Sequence, residues 1–244
     1  NTIVRNQTIG VLFRGLVSGT LGGAVEGAGN TISDHSHGNF TSPNIYLDGC
    51  ANVQVEDNRV SGGHTGILIS DGFNLTVGSP GFGNVFSSST SGVDINGGTD
   101  IFFYSNFVGV DETGTLDQGN GHSGIFVSGN MTNVRIGGSG EGEGNVISGN
   151  ANDGIVVFNM FAGSGTDPVL FIQGNRIGTN GAGTLAIPND VIGVRIGPYA
   201  RRVLIGGTAD GEGNVLSGNG EDGIRVARRP NSTGTPDNIQ IFGN

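Results

Sequence analysis

The sequence predicts an all-β solenoid, a coil of short strands with three strands to a turn and about eight turns. Three observations predict it. An asparagine returns at near-regular intervals, alternating apolar pairs recur three times within each interval, and no segment sustains a helical period. Asn1, Asn30, Asn58, Asn84, Asn106, Asn145, Asn175, Asn214 and Asn244 are separated by 29, 28, 26, 22, 39, 30, 39 and 30 residues. Periods of this size belong to repeats that bury an apolar face only against their neighbours.

The first strand of each turn follows the asparagine, as in Asn30-Thr-Ile32, Asn84-Val-Phe86 and Asn145-Val-Ile147. The second usually opens on glycine: Gly66-ILI, Gly92-VDI, Gly124-IFV and Gly154-IVV, with Asn44-IYL as a variant. The third is another alternating pair, such as Val53/Val55, Leu75/Val77, Ile101/Phe103 and Val134/Ile136. Alternation of this kind, rich in β-branched residues and flanked by glycine, reads as half-buried strands whose i and i+2 side chains point inward. At a strand spacing of roughly 4.8 Å, eight turns make a rod of about 40 Å.

The asparagine suits a corner, because it tolerates left-handed backbone and bonds nearby peptide groups. Stacked in register, its amide can also bond the asparagine of the next turn. Asn30, Asn58, Asn84, Asn106, Asn145, Asn175 and Asn214 are therefore expected to form a structural ladder. What precedes each one alternates. Asn30, Asn84, Asn145 and Asn214 follow long glycine-rich corners such as VGSPGFGN, while Asn58, Asn106, Asn175 and Asn244 follow tight ones such as VEDN. The working unit is a pair of turns. The last two units, from Asn106 and Asn175, are both 69 residues long.

These features resemble the right-handed parallel β-helix repeat family of bacterial and archaeal surface and secreted proteins. The most specific pieces are IGGSGEGEGNVISGNANDGI at 136–155 and IGGTADGEGNVLSGNGEDGI at 205–224. The resemblance covers nearly the whole chain and implies one domain over residues 1–244. It implies function weakly, since the same coil carries enzymes, adhesins and structural rods.

Composition narrows the field. A formal net charge of −10 and a pI near 4.6 argue against nucleic acid or anionic membranes as partners. All eleven basic residues are arginine. The single cysteine, Cys50, permits no internal disulfide, and no apolar run reaches transmembrane length. Five Asn-x-Ser/Thr sequons, at Asn6, Asn39, Asn74, Asn130 and Asn231, are candidate glycosylation sites.

No lyase, hydrolase or epimerase set is recognised. Lysine and Gly-His-Gly are absent, aspartates do not cluster on neighbouring turns, and the only Asp-Pro continues into Val169. A metal or acid–base candidate is Asp34-His35-Ser36-His37, with His64 in the equivalent corner of the next turn. The acidic corners containing Glu141, Glu143, Asp210 and Glu212 raise Ca²⁺, although they lack the nonapeptide of calcium-binding coils. No other cofactor is expected.

The outward residues of the second strand carry a different signal. They are Leu12, Tyr46, Leu68, Asp94, Phe126, Val156, Arg195 and Arg225. Leu12, Tyr46, Leu68, Phe126 and Val156 should stack into an apolar interface, or be covered by a loop from 158–168 or 227–237. The chain also starts and stops at the same corner, in phase, as a segment of a longer repeat protein or a subunit stacking end to end would. The expected function is an extracellular or cell-surface structural rod in a filament, surface layer or adhesin. Its partners would be copies of itself or other surface proteins. The alternative is a β-helix that binds or acts on an extracellular polysaccharide.

Overall fold

The structure is a computed structural model and describes residues 1–35, 42–160, 165–228 and 233–244. It is an all-β parallel solenoid with no helix among the described residues. One sheet stacks eight strands in chain order: Thr2–Val4, Thr31–Ser33, Arg59–Ser61, Val85–Ser87, Phe107–Val108, Val146–Ile147, Arg176–Ile177 and Val215–Leu216. These form the first face. A 13-stranded sheet supplies the other two. The second face runs from Val11–Arg14 through Pro43–Asp48 to Ile224–Val226, and the third from Gly19–Gly22 through Val53–Glu56 to Asp237–Phe242. All described pairings between these strands are parallel. Three strands per turn over eight turns is the count the sequence predicts.

Register follows the apolar alternation. On the first face Ile32, Val60, Phe86, Val108, Ile147 and Ile177 form an unbroken inward rank, all fully buried. Ranks such as Ile67, Val93, Ile125 and Ile155 on the second face, and Val77, Phe103 and Ile136 on the third, complete one thin core. Phe86 and Phe103 stack across it at 5.9 Å. Each buried aliphatic side chain contributes roughly 1.5–3 kcal/mol, so the core is built from many equal small terms. Cys50 belongs to this core: it is 1% exposed and its thiol donates to the Phe13 carbonyl at 3.2 Å.

Where the alternation suggests separate second and third strands, three turns instead carry one long strand: Thr65–Val77, Ser91–Phe103 and Ile125–Ile136. The bend between faces is made inside the strand by left-handed residues, Asp71, Asn74, Asp100 and Asn133, with φ between 49° and 55°. Asp and Asn enter this region at little cost, so the chain turns without leaving the ladder.

The asparagine ladder runs the full height. Each side-chain amide from Asn1 to Asn214 donates to the Oδ1 of the next asparagine, at 2.8–3.2 Å. From Asn30 to Asn214, the backbone N–H donates to that same oxygen. From Asn58 onward the amide also donates to a third-face carbonyl, as Asn145 does to Phe103 O at 2.8 Å. A second ladder, which the sequence reading missed, joins Asn120, Asn150, Asn189 and Asn219 at 2.8–2.9 Å in the corner between the first and second faces. Each of these lies four residues before the glycine that opens a second-face strand.

The two-turn unit has a steric cause. Long corners lean over the tight corner between them and touch the next long corner. A side-chain carbon at Gly211 would lie 2.4 Å from the Ser139 carbonyl oxygen, and φ there is 81°, so only glycine fits. The tight corners turn on one left-handed residue immediately before the asparagine: Asp57, Ser105, Gly174 or Gly243.

Replacing Asn145 by alanine leaves the Asn106 backbone N–H and one of its side-chain N–H groups without partners, and takes from the Phe103 carbonyl one of its two donors. At about 1–3 kcal/mol per orphaned buried group, Asn145→Ala should cost about 3 kcal/mol or more in urea unfolding. Asn145→Asp, nearly isosteric but unable to donate, should be at least as damaging. A loss under about 1 kcal/mol for both would show that the ladder is incidental.

Candidate functional site

The ladder asparagines are poor candidates for chemistry, because their amides are already saturated within the coil. The His35 ring is also taken. It is fully buried, Nδ1 accepts from the Asn6 backbone N–H at 2.9 Å, and Nε2 donates to the Ile3 carbonyl at 3.0 Å. With both nitrogens bonded, His35 pins the first two turns together and has no lone pair left for a metal. Asp34 is exposed and accepts from the Ser33 hydroxyl at 3.2 Å. His37 lies outside the described residues. Among the described residues no three His, Cys, Asp or Glu side chains converge on a metal position.

The acidic corners are likewise turned inward. Glu143 accepts from the Gly140 N–H and Glu212 from the Ala209 N–H, both at 2.9 Å, so each carboxylate closes its own turn. Glu141 and Asp210 are exposed. Of the sequons, Asn6, Asn74 and Asn130 are exposed, and Asn39 and Asn231 lie outside the described residues.

The second face is where the outward residues form one continuous row. Strand register places Leu12, Tyr46, Leu68, Asp94, Phe126, Val156, Arg195 and Arg225 side by side on eight successive turns. Leu12 is 43% exposed, while Tyr46, Leu68 and Phe126 are half-buried and present a graded apolar strip. Val156 is covered, at 5% exposure. The Phe158 ring, just beyond that strand, meets Phe126 edge-on at 4.8 Å and shields part of the strip. Beyond Val156 the row turns polar. Asp153 grips Arg195 through two bonds of 2.6 and 2.9 Å, and Arg225 pairs with Asp222 and Glu221.

Asp94 is the one carboxylate in this row. Leu68 and Phe126 flank it one turn to either side, and burial pushes its carboxyl pKa up to about 6, opposed by a hydrogen bond from the Thr65 side chain. The Thr65 hydroxyl also lies 3.1 Å from His64 Nδ1. Burial, and then the charge on His122, push the His64 pKa down. Backbone bonds from Ser91 N–H to the His64 carbonyl and from His122 N–H to the Thr90 carbonyl hold these corners together. The Asp94 carboxyl, the Thr65 hydroxyl and the His64 imidazole are thus neighbours on this face, and of the three the Asp94 carboxyl changes charge near pH 6.

No protein-family model, no curated protein and no solved structure matches the chain.

The raised pKa fixes a sign. Between the ordinary carboxyl value and about 6 the folded chain binds more protons than the unfolded one, so this site lowers stability as pH rises through that window. Asp94→Asn should therefore raise stability at pH 7.5 by about 1–3 kcal/mol and leave it nearly unchanged at pH 4. Thermal melts of both proteins at the two pH values check this. An equal shift at both would place the effect outside the titration of Asp94.

Proposed function

We propose that this chain is an extracellular interaction rod of the right-handed parallel β-helix repeat family, part of a filament, surface layer or adhesin. The rod presents the strip of Leu12, Tyr46, Leu68 and Phe126 to further copies of itself or to other surface proteins. The in-register apolar row supports this reading, because a face meant only for water has no reason to align apolar side chains over successive turns. The saturated asparagine ladders support the structural half of it by giving the coil a continuous polar spine.

Sedimentation velocity across about 1–100 μM tests the proposal. The wild type should show concentration-dependent association, and the double substitution Leu68→Asp/Phe126→Asp should abolish it without changing the far-ultraviolet circular dichroism. A wild type that remains monomeric throughout removes the self-association half of the reading.

The neighbouring Asp94, Thr65 and His64 favour a second reading, in which the same face binds or cleaves an extracellular polysaccharide. Incubation with a panel of uronate and neutral polymers at pH 5–7 should then release chain ends, and Asp94→Asn or His64→Ala should stop the release. Equal release by wild type and both variants would dissociate these residues from any such activity.

A further inference from the structure

A separate groove lies over the first face, away from the second-face row. Its floor is part of the outward rank of the first sheet, where Phe107, Val146 and Arg176 follow one another on successive turns, with Val85 and Arg59 continuing the rank beyond it. One wall is made of long glycine corners, with Gly81, Gly83, Gly142 and Gly144. The Ser105 hydroxyl ties that wall down by donating to the Gly142 carbonyl.

The other wall is made by the two long loops that enter the second face. Asp111 accepts from the N–H groups of Thr115 and Leu116, and Asn180 from those of Thr184 and Leu185, so the two loops share one fold. They are joined by a bond from Gly181 N–H to the Gly114 carbonyl at 2.8 Å. Between the walls is an open volume of about 460 Å³. That size falls within the range of small-molecule sites.

The floor is apolar in the middle and cationic at one end. Phe107 and Val146 pack with Val110 and Ile187 into a small satellite core beneath the loops. Arg59 faces Glu112 at 3.5 Å. Arg176 has no such partner: its backbone N–H bonds the Asn145 carbonyl, but its guanidinium makes no hydrogen bond or ion pair with any described residue, and its Nε is buried without an acceptor. A guanidinium cannot shed its charge at any ordinary pH, so an unpartnered one in a groove leaves its interaction capacity unused.

We infer that this groove binds a small organic carboxylate, with its oxygens on Arg176 and its apolar body on Phe107 and Val146. The two terminal amines of Arg176 offer the fork that a carboxylate matches in two parallel bonds. The glycine walls let a ligand approach backbone closely. Two carboxylates also line the groove, Glu112, which is paired with Arg59, and Asp57 on the opposite wall, so the anion is favoured only at the Arg176 end; charges beyond about 8 Å are screened at physiological salt.

The test is calorimetric titration of the full chain with phenylacetate and, as a neutral match, phenylacetamide. Phenylacetate should bind saturably and at least about tenfold more tightly than the amide, as expected for a bidentate charge-assisted pair. Arg176→Gln should remove that preference and Arg176→Lys should restore only part of it. Should Arg176→Gln fold poorly, the arginine Nε–H resonances of the wild type provide the second readout, since Arg176 alone should shift on titration. Equal binding of acid and amide, absence of saturable binding, or shifts confined to other arginines would each overturn the inference. None of these outcomes depends on whether the second face associates.

Discussion

The structure depends on the satisfaction of backbone and amide groups at the corners of a coil only two side chains deep. A thin core has little apolar area per residue, so an unpaired buried peptide group would cost about as much as a buried aliphatic side chain contributes. The asparagine ladder removes that cost. From Asn58 to Asn214 each amide donates twice, once to the next asparagine and once to a carbonyl at the end of the third face, and its oxygen accepts twice from the previous asparagine. The side-chain bonds all run in one chain direction, an arrangement in which neighbouring bonds polarise one another.

On this spine the loops are free to differ, within limits set by their neighbours. Long glycine corners and long loops both fall on alternate turns, so each has room to lean over a shorter connection. The same alternation that gives the two-turn period also raises both walls of the first-face groove. Groove and period therefore have one origin.

Much of the fold was legible in the sequence because two periodicities agree. The period of two within a strand sets which residues point inward, and the returning asparagine sets which turns lie beside each other. Together they suffice to place Leu12, Tyr46, Leu68, Asp94 and Phe126 in one row. The second ladder was also present as an Asn four residues before a glycine, but the variable loops ahead of Asn120 and Asn189 obscure its spacing. The chemistry was harder to read. Thr65 and Asp94 lie on adjacent strands three residues out of register, so strand alternation alone does not bring them together. His35 looks like a ligand because its neighbours are polar, yet it is buried between two turns, and burial is not visible in a four-residue motif. Arg176 differs from the other arginines only in what surrounds it.

The leaning corners restrict how a chain of this kind can change length. Gly211 already touches the backbone of Ser139 across the tight corner that separates them. Excising one turn would bring two long corners into direct register, where both cannot occupy the same space. Adding one would set two tight corners together and leave a gap. Lengthening or shortening by duplication is thus quantised in pairs of turns, and the matched 69-residue segments beginning at Asn106 and Asn175 have the form such a duplication would leave.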